Sequence, residues 1–286
     1  ADLGKLINDK TEADTQWREQ RQVEREAAAS LRDESVTEIT SDPEVYARYL
    51  DMQGDNPSYS AGNIALMMKQ GPEGATIFFT RERWKAQSRF VLDTEQEKGA
   101  KIFVRTPRGY TLADAFDVTQ TQGRAIQTPH LEDNTPGMEA ALAALMKFSP
   151  VQMVVNHDLT TAAYYDPHHM LLAVNPDFSD SEAFGAIAAE IAQAKDHDRG
   201  FNREYSREDC ELHAQSVAYI LCRRFGISRE QPDLSRLAQR FQNWPAQDRQ
   251  NVLNSIQDLG KRIGGAVEKS ITPPQRAAPS VHRDAR

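Results

Sequence analysis

Over residues 75–119 helical spacing gives way to short runs of β-branched and aromatic residues, and this interruption does most to limit the folds open to the chain. Upstream, Asp42 is placed to cap a helix with Pro43 at its first position, and Val45, Tyr46, Tyr49 and Leu50 give that helix one apolar stripe. After the breaker Gly54-Asp55-Asn56-Pro57, Ser60 caps a second helix carrying Ile64, Leu66, Met67 and Met68. Residues 75–80, 101–105 and 115–119 then predict strands, separated by the turn-prone 97–100 and by Pro107-Arg108-Gly109. Two helices, a small antiparallel sheet and then mostly helical sequence predict an α+β fold.

A polar, proline-bearing stretch over 128–137 leads into the second half. There the pattern predicts a helix over 138–148, strands over 151–155 and 170–174, and helices over 181–195 and 207–225, the last stopped by Gly226. A final helix over 247–263 aligns Val252, Leu253, Ile256, Leu259 and Ile263. Residues 11–32 are rich in Glu, Arg, Gln and Ala, with few apolar residues beyond Trp17, Val23 and Leu31, and so predict a solvated helix or a mobile arm. At 286 residues the chain has the length of two domains. The expected division is a charged helical arm over 1–35, a helix-plus-sheet domain over 36–127, a linker over 128–137, a mostly helical domain over 138–270 and a disordered tail over 271–286.

No apolar run approaches the roughly 20 residues that span a bilayer, and the N-terminal stretch is charged where a secretion signal is apolar. A cytoplasmic protein with no membrane partner is expected. Cys210 and Cys222 fall in one predicted helix, roughly 18 Å apart at the helical rise, too far for a disulfide, and read as small buried hydrophobes. The net charge of −8 argues against a generic nucleic-acid binder, whose affinity rests on neutralised phosphates. The average hides a gradient: residues 1–56 carry 7 basic and 14 acidic side chains, residues 57–124 carry 10 and 7, and the remainder 17 and 21. Only the middle segment is basic.

The residues that suggest chemistry lie between 164 and 219. Tyr164-Tyr165-Asp166-Pro167, the strand to Val174, the helix containing Ala188-Ala189-Glu190-Ile191-Ala192-Gln193 and the next helix, with Glu211, resemble the zincin-like domain of ArdC-type antirestriction proteins, within the broader ImmA/IrrE-like gluzincins. In that family the first helix reads HELAHA: two histidines one turn apart hold zinc, a glutamate between them is the general base, and an ExxA pattern in the next helix supplies a third ligand. The resemblance puts Ala189 and Gln193 at the two histidines, Glu190 at the base and Glu211 at the third ligand. Alanine cannot coordinate, and a glutamine amide oxygen beside a single carboxylate is a poor partner for zinc. Without a metal to acidify a bound water, Glu190 has no nucleophile to generate. The expectation is a cleft with no catalytic residues, no metal and no cofactor, in which Glu190 is held neutral or paired with a basic side chain. His157, His168, His169, His197 and His213 are the remaining candidates for a displaced metal site; each otherwise reads as a solvated loop or helix histidine.

The basic segment resembles the N-terminal single-stranded-DNA-binding domain of the same family. Tyr59-Ser60-Ala61-Gly62-Asn63 matches its YSxxN pattern, Trp84-Lys85 followed by Arg89 its W with GR downstream, 97–101 its KGEKG-type turn, and Ala115-Phe116-Asp117 its VFD strand. Ser88 stands where the family has the glycine before the arginine. The resemblance implies a role with mobile genetic elements, protecting entering DNA from restriction. Single strands are held by cationic grooves with aromatic faces, and the residues expected to supply them are Tyr59, Asn63, Lys69, Arg81, Arg83, Trp84, Lys85, Arg89, Lys98, Lys101 and Arg105. Trp84 reads equally as a buried anchor and as an exposed platform. Two other readings stay open: a metal-dependent peptidase with a remodelled site, and a protein-interaction module that uses the degenerate cleft or the acidic N-terminal arm and binds no DNA.

Overall fold

The computed structural model describes residues 2–198 and 204–272, so the expected tail, from 273 onward, lies outside the described residues. The chain opens with α1 (Leu3–Ile39), capped by the Asp2 carboxylate, which accepts from the Lys5 N–H. Strong helix formers carry it: residues 3–27 are exposed throughout, and burial begins at Ala28 and deepens at Ser35, Val36 and Ile39. The helix is continuous across residues 35 and 36. Next come α2 (Pro43–Asp55), capped by Asp42, and α3 (Ala61–Gln70), capped by Ser60, both starting where the sequence predicts.

The sheet region comprises β1 (Phe78–Thr80), α4 (Arg81–Ala86), β2 (Arg89–Val91), β3 (Ala100–Thr106), β4 (Gly109–Asp117) and β5 (Thr121–Gly123). Strands β1, β4 and β3 form an antiparallel sheet in that order, and β2 pairs with β5 as a separate antiparallel ribbon. Neither α4 nor the ribbon is foreshadowed by periodicity. The large apolar side chain of α4, Trp84, is fully buried, donates its Nε1–H to the Phe116 carbonyl at 2.8 Å and meets Phe79 edge-on at 4.8 Å. Strand β3 lies at a sheet edge, and α3 closes it. The Asn63 amide accepts from the Phe103 N–H at 2.9 Å and donates to the Phe103 carbonyl at 2.8 Å, and Gln70 does the same for Lys101 at 2.9 and 3.1 Å.

The second half holds α5 (Pro136–Met146), β6 (Gln152–Val155), β7 (Ala163–Asp166), β8 (Leu171–Val174), α6 (Asp180–Asp198), α7 (Arg207–Arg224), α8 (Leu237–Arg240) and α9 (Ala246–Ile271). Strand β8 is central, parallel to β6 and antiparallel to β7. Helix α7 ends in a Schellman motif: Gly226, at φ +69°, donates to Arg223, and Ile227 donates to Cys222. Val217, Ala218 and Leu221 bury α7 among α2, α6 and α9, and the Tyr46 hydroxyl lies 2.8 Å from Ser216 Oγ. One apolar core therefore runs through both halves, from Val36 to Val267. Cys210 and Cys222, both on α7, form no disulfide with each other, and burial pushes the Cys222 thiol up to about 12. The α9 stripe is buried at Leu253, Ile256, Leu259 and Ile263 and continues to Val267. No described helix is long and apolar enough to cross a membrane.

Ser88 adopts φ 57°, the left-handed region that favours glycine. Its side chain costs about 1 kcal/mol there, partly offset because glycine loses more chain entropy on folding. Ser88→Gly should therefore raise the unfolding free energy by about 0.5 kcal/mol in urea titrations. A loss of stability would show that the serine side chain makes a compensating contact.

Candidate functional site

Helices α6 and α7 pack side by side, and their facing residues form the cleft. Ala189 is buried and presents no donor. Glu190, 7% exposed, is gripped by Arg207 from the first turn of α7: Nη1 lies 3.1 Å from Oε1 and Nη2 2.6 Å from Oε2. Of the two expectations for Glu190, this is the paired one. The pair also reaches β7, the outer strand of its sheet. The Tyr165 N–H donates to Glu190 Oε2 at 2.7 Å, and Arg207 Nη2 donates to the Tyr165 carbonyl at 3.2 Å. Extended peptides add to the free N–H and C=O groups of an edge strand, and at Tyr165 both are taken. Burial pulls the Arg207 pKa down, but the hydrogen bond and charge of Glu190 outweigh it and leave it above the ordinary arginine value.

Gln193 Nε2 donates to Glu211 Oε2 at 2.8 Å and to the Arg207 carbonyl at 3.3 Å, while its Oε1 accepts from the Tyr205 hydroxyl at 2.8 Å. Burial raises the Tyr205 pKa, keeping that hydroxyl a donor. Glu211 also accepts from Gln215 at 2.9 Å. Tested against the zinc that the resemblance implies, this donor set does not fit. One ligand position is a methyl group, the other two are bonded to each other, and a guanidinium sits at the base.

The histidines are dispersed. His157 Nδ1 lies 2.9 Å from Asp177 and His169 Nδ1 2.7 Å from Asp166, while the His168 N–H donates to Asp166. His197 Nδ1 lies 2.6 Å from the Tyr165 hydroxyl, and its ring stacks on Tyr205 at 4.5 Å. His213 corrects the expectation of a solvated side chain: it is 9% exposed and satisfied by Asp196 at 2.8 Å. Among the described residues no group of three or more His, Cys, Asp or Glu side chains comes together to hold a metal. Sequence reasoning missed Arg207, Tyr205 and Tyr165. The signal for Arg207 was its spacing, four residues before Glu211 and so on the same helical face.

The expected DNA-contacting residues separate into four groups. Trp84 and Asn63 are corrections: both are buried and spent on backbone groups, Trp84 on Phe116 and Asn63 on Phe103, so neither offers a face or an amide to a base. Arg89 donates to the carbonyls of Thr121 and Arg124 at 3.0 and 2.7 Å, stapling the ribbon, and Tyr59 is half-buried beside Arg83. Ion pairs engage Lys69 with Glu38, Lys98 with Glu95 at 2.8 Å, Lys101 with Asp114 at 2.6 Å and Arg81 with Asp114 at 3.8 Å. Lys85, Arg83 and Arg105 are exposed and make no ion pair among the described residues; the same holds for Arg124, which the expected set omitted. Phe90 is 56% exposed on the ribbon. It pairs with Gln122 across the ribbon, and just past the end of β5 the Arg124 N–H bonds the Ser88 carbonyl. Helix α4, which carries Lys85, packs on β2.

Fold and site together give an α+β protein in which helices α6 and α7 are tied to each other by their own side chains. No protein-family model and no curated protein matches the chain. Among solved structures it is similar to the antirestriction protein ArdC from plasmid R388, at 18% identity in both a metal-free and a Mn(II)-bound crystal structure. The metal-free structure aligns with a TM-score of 0.43 over 74% of this chain and 85% of that one, and the Mn(II)-bound structure with 0.45 over 77% and 89%. A likeness at this level transfers no residue's role.

Glu190→Ala should lower the unfolding free energy by about 2–4 kcal/mol, toward the lower end for a broken buried pair because the Arg207 side chain keeps 32% exposure. Adding Arg207→Leu should recover most of that loss. A single-variant loss below about 1 kcal/mol, the value of a surface pair, would show that the pair does not anchor β7. Elemental analysis of the purified chain should find no stoichiometric zinc; one zinc per chain, lost in Glu211→Ala, would overturn this account of the cleft.

Proposed function

We propose that this chain binds single-stranded DNA as a protein of the ArdC antirestriction type, with the α6–α7 cleft serving as scaffold or interaction surface and not as a peptidase. The observation that carries the proposal is the exposed chemistry of the ribbon and the α4 helix packed on it: Phe90, Arg124 at the end of β5 and Lys85 of α4, both cations making no ion pair among the described residues. In a chain of net charge −8 these residues belong to the one segment with a positive balance, and the acidic flanks repel a polyanion from elsewhere. An exposed phenylalanine takes an unstacked base, which a duplex does not offer. The motif resemblance, which runs through both halves in the same order, supports the antirestriction role. Against a peptidase stands the Gln193–Glu211 bond, which a metal would have to break. The interaction-module reading is favoured by one feature, the fully exposed residues 3–27 of α1.

Titrating the full chain against fluorescent oligothymidylate tests the proposal. Binding should weaken as salt rises, and Lys85→Ala should lower the logarithmic salt slope by about 0.7, one phosphate contact. Phe90→Ala should weaken binding by about 1–3 kcal/mol with the slope unchanged, as for a lost stack. Absence of binding at low salt would reject the proposal in favour of the interaction module.

A further inference from the structure

We infer that a single strand leaving the ribbon enters the crevice between the two halves of the chain, where Arg83 of α4 and Lys261 of α9 take its phosphates. The inference rests on the proposed DNA binding and adds to it a contact from the metallopeptidase-like half. The crevice has a volume of about 480 Å³ and is lined by Phe79 and Arg83, by residues 126–130 and by Lys261 and Gly265 of α9.

Its charges do not cancel. Arg223 pairs with Asp55 at 2.9 Å and Arg224 with Glu268, which uses both carboxylates of the lining. Arg83 and Lys261 are exposed and make no ion pair among the described residues. Arg83 is held in place without being neutralised. Its Nη1 donates to Ser58 Oγ at 3.1 Å and its guanidinium lies 4.1 Å from the Phe79 ring centroid, which leaves further N–H donors for a phosphate.

The glycines of α9 give an independent indication. A Cβ at Gly260 would strike Ile220 at 2.5 Å and one at Gly264 would strike Arg224 at 2.4 Å, so close packing accounts for both. A Cβ at Gly265 meets nothing within 4 Å. Glycine weakens a helix interior, and no packing accounts for this one; it lines the crevice and leaves it open. Arg124, just past the end of β5, lies only two residues before Ile126, which lines the crevice, so the ribbon and the crevice adjoin along the chain.

The test compares Lys261→Glu and Gly265→Gln with Lys85→Ala in the oligothymidylate titration of the full chain, with thermal melts as the folding control. Lys261 is exposed and Gly265 faces open space, so both variants should melt at or above the parent temperature. Lys261→Glu should weaken binding roughly tenfold at low salt and reduce the salt slope by at least about 0.7. Gly265→Gln adds bulk without charge, and should weaken binding with the slope less affected. If both variants bind as the parent does while Lys85→Ala is weakened, the crevice is overturned and the ribbon site stands. If the parent itself does not bind, both fall together.

Discussion

The structure depends on how the edges of its two small sheets are closed. A three-stranded sheet leaves two rows of unpaired N–H and C=O groups, and in each sheet an outer strand is satisfied by side chains that imitate a neighbouring strand. Asn63 and Gln70 of α3 do this for β3, and the Glu190–Arg207 pair does it for Tyr165 of β7. Asn56 does the same at the entry to β1, accepting from the Phe78 N–H at 2.8 Å and donating to the Thr76 carbonyl at 2.6 Å. Helices are thereby attached to sheets through directional bonds as well as apolar contact. The side chains so used are no longer available to a ligand.

This accounting reaches the cleft. A carboxylate as buried as Glu190 needs a compensating charge, and Arg207 supplies it. The Gln193 amide, donating to Glu211 and accepting from Tyr205, fills the space between the two helices with a satisfied network. Such a network holds α6, α7 and β7 in one arrangement because removing any member strands a buried polar group.

Helix α7 carries this rigidity to the rest of the molecule. It is the wall against which α2 of the first half and α6 and α9 of the second all pack, so the halves share a core. Their meeting line is also where the crevice opens, with Arg83 contributed from one side and Lys261 from the other.

The sequence by itself determined the helix starts at Asp42 and Ser60, the stop at Gly226, the apolar stripe of α9 and the presence of alanine and glutamine at positions 189 and 193. Each follows from chemistry within a few residues of chain or from the identity of a single side chain. Tertiary structure alone decided that Trp84 is an anchor, that Asn63 closes a strand edge, that Arg89 staples a ribbon and that Phe90 and Lys261 stay exposed. Most of the basic residues that looked like a DNA surface in sequence are engaged by carboxylates or carbonyls, several of them far away in the chain, as when Lys69 meets Glu38 and Arg89 meets the Thr121 carbonyl. Burial and pairing across such separations leave no local periodicity, so composition could show that the segment was basic but not which of its charges remained free.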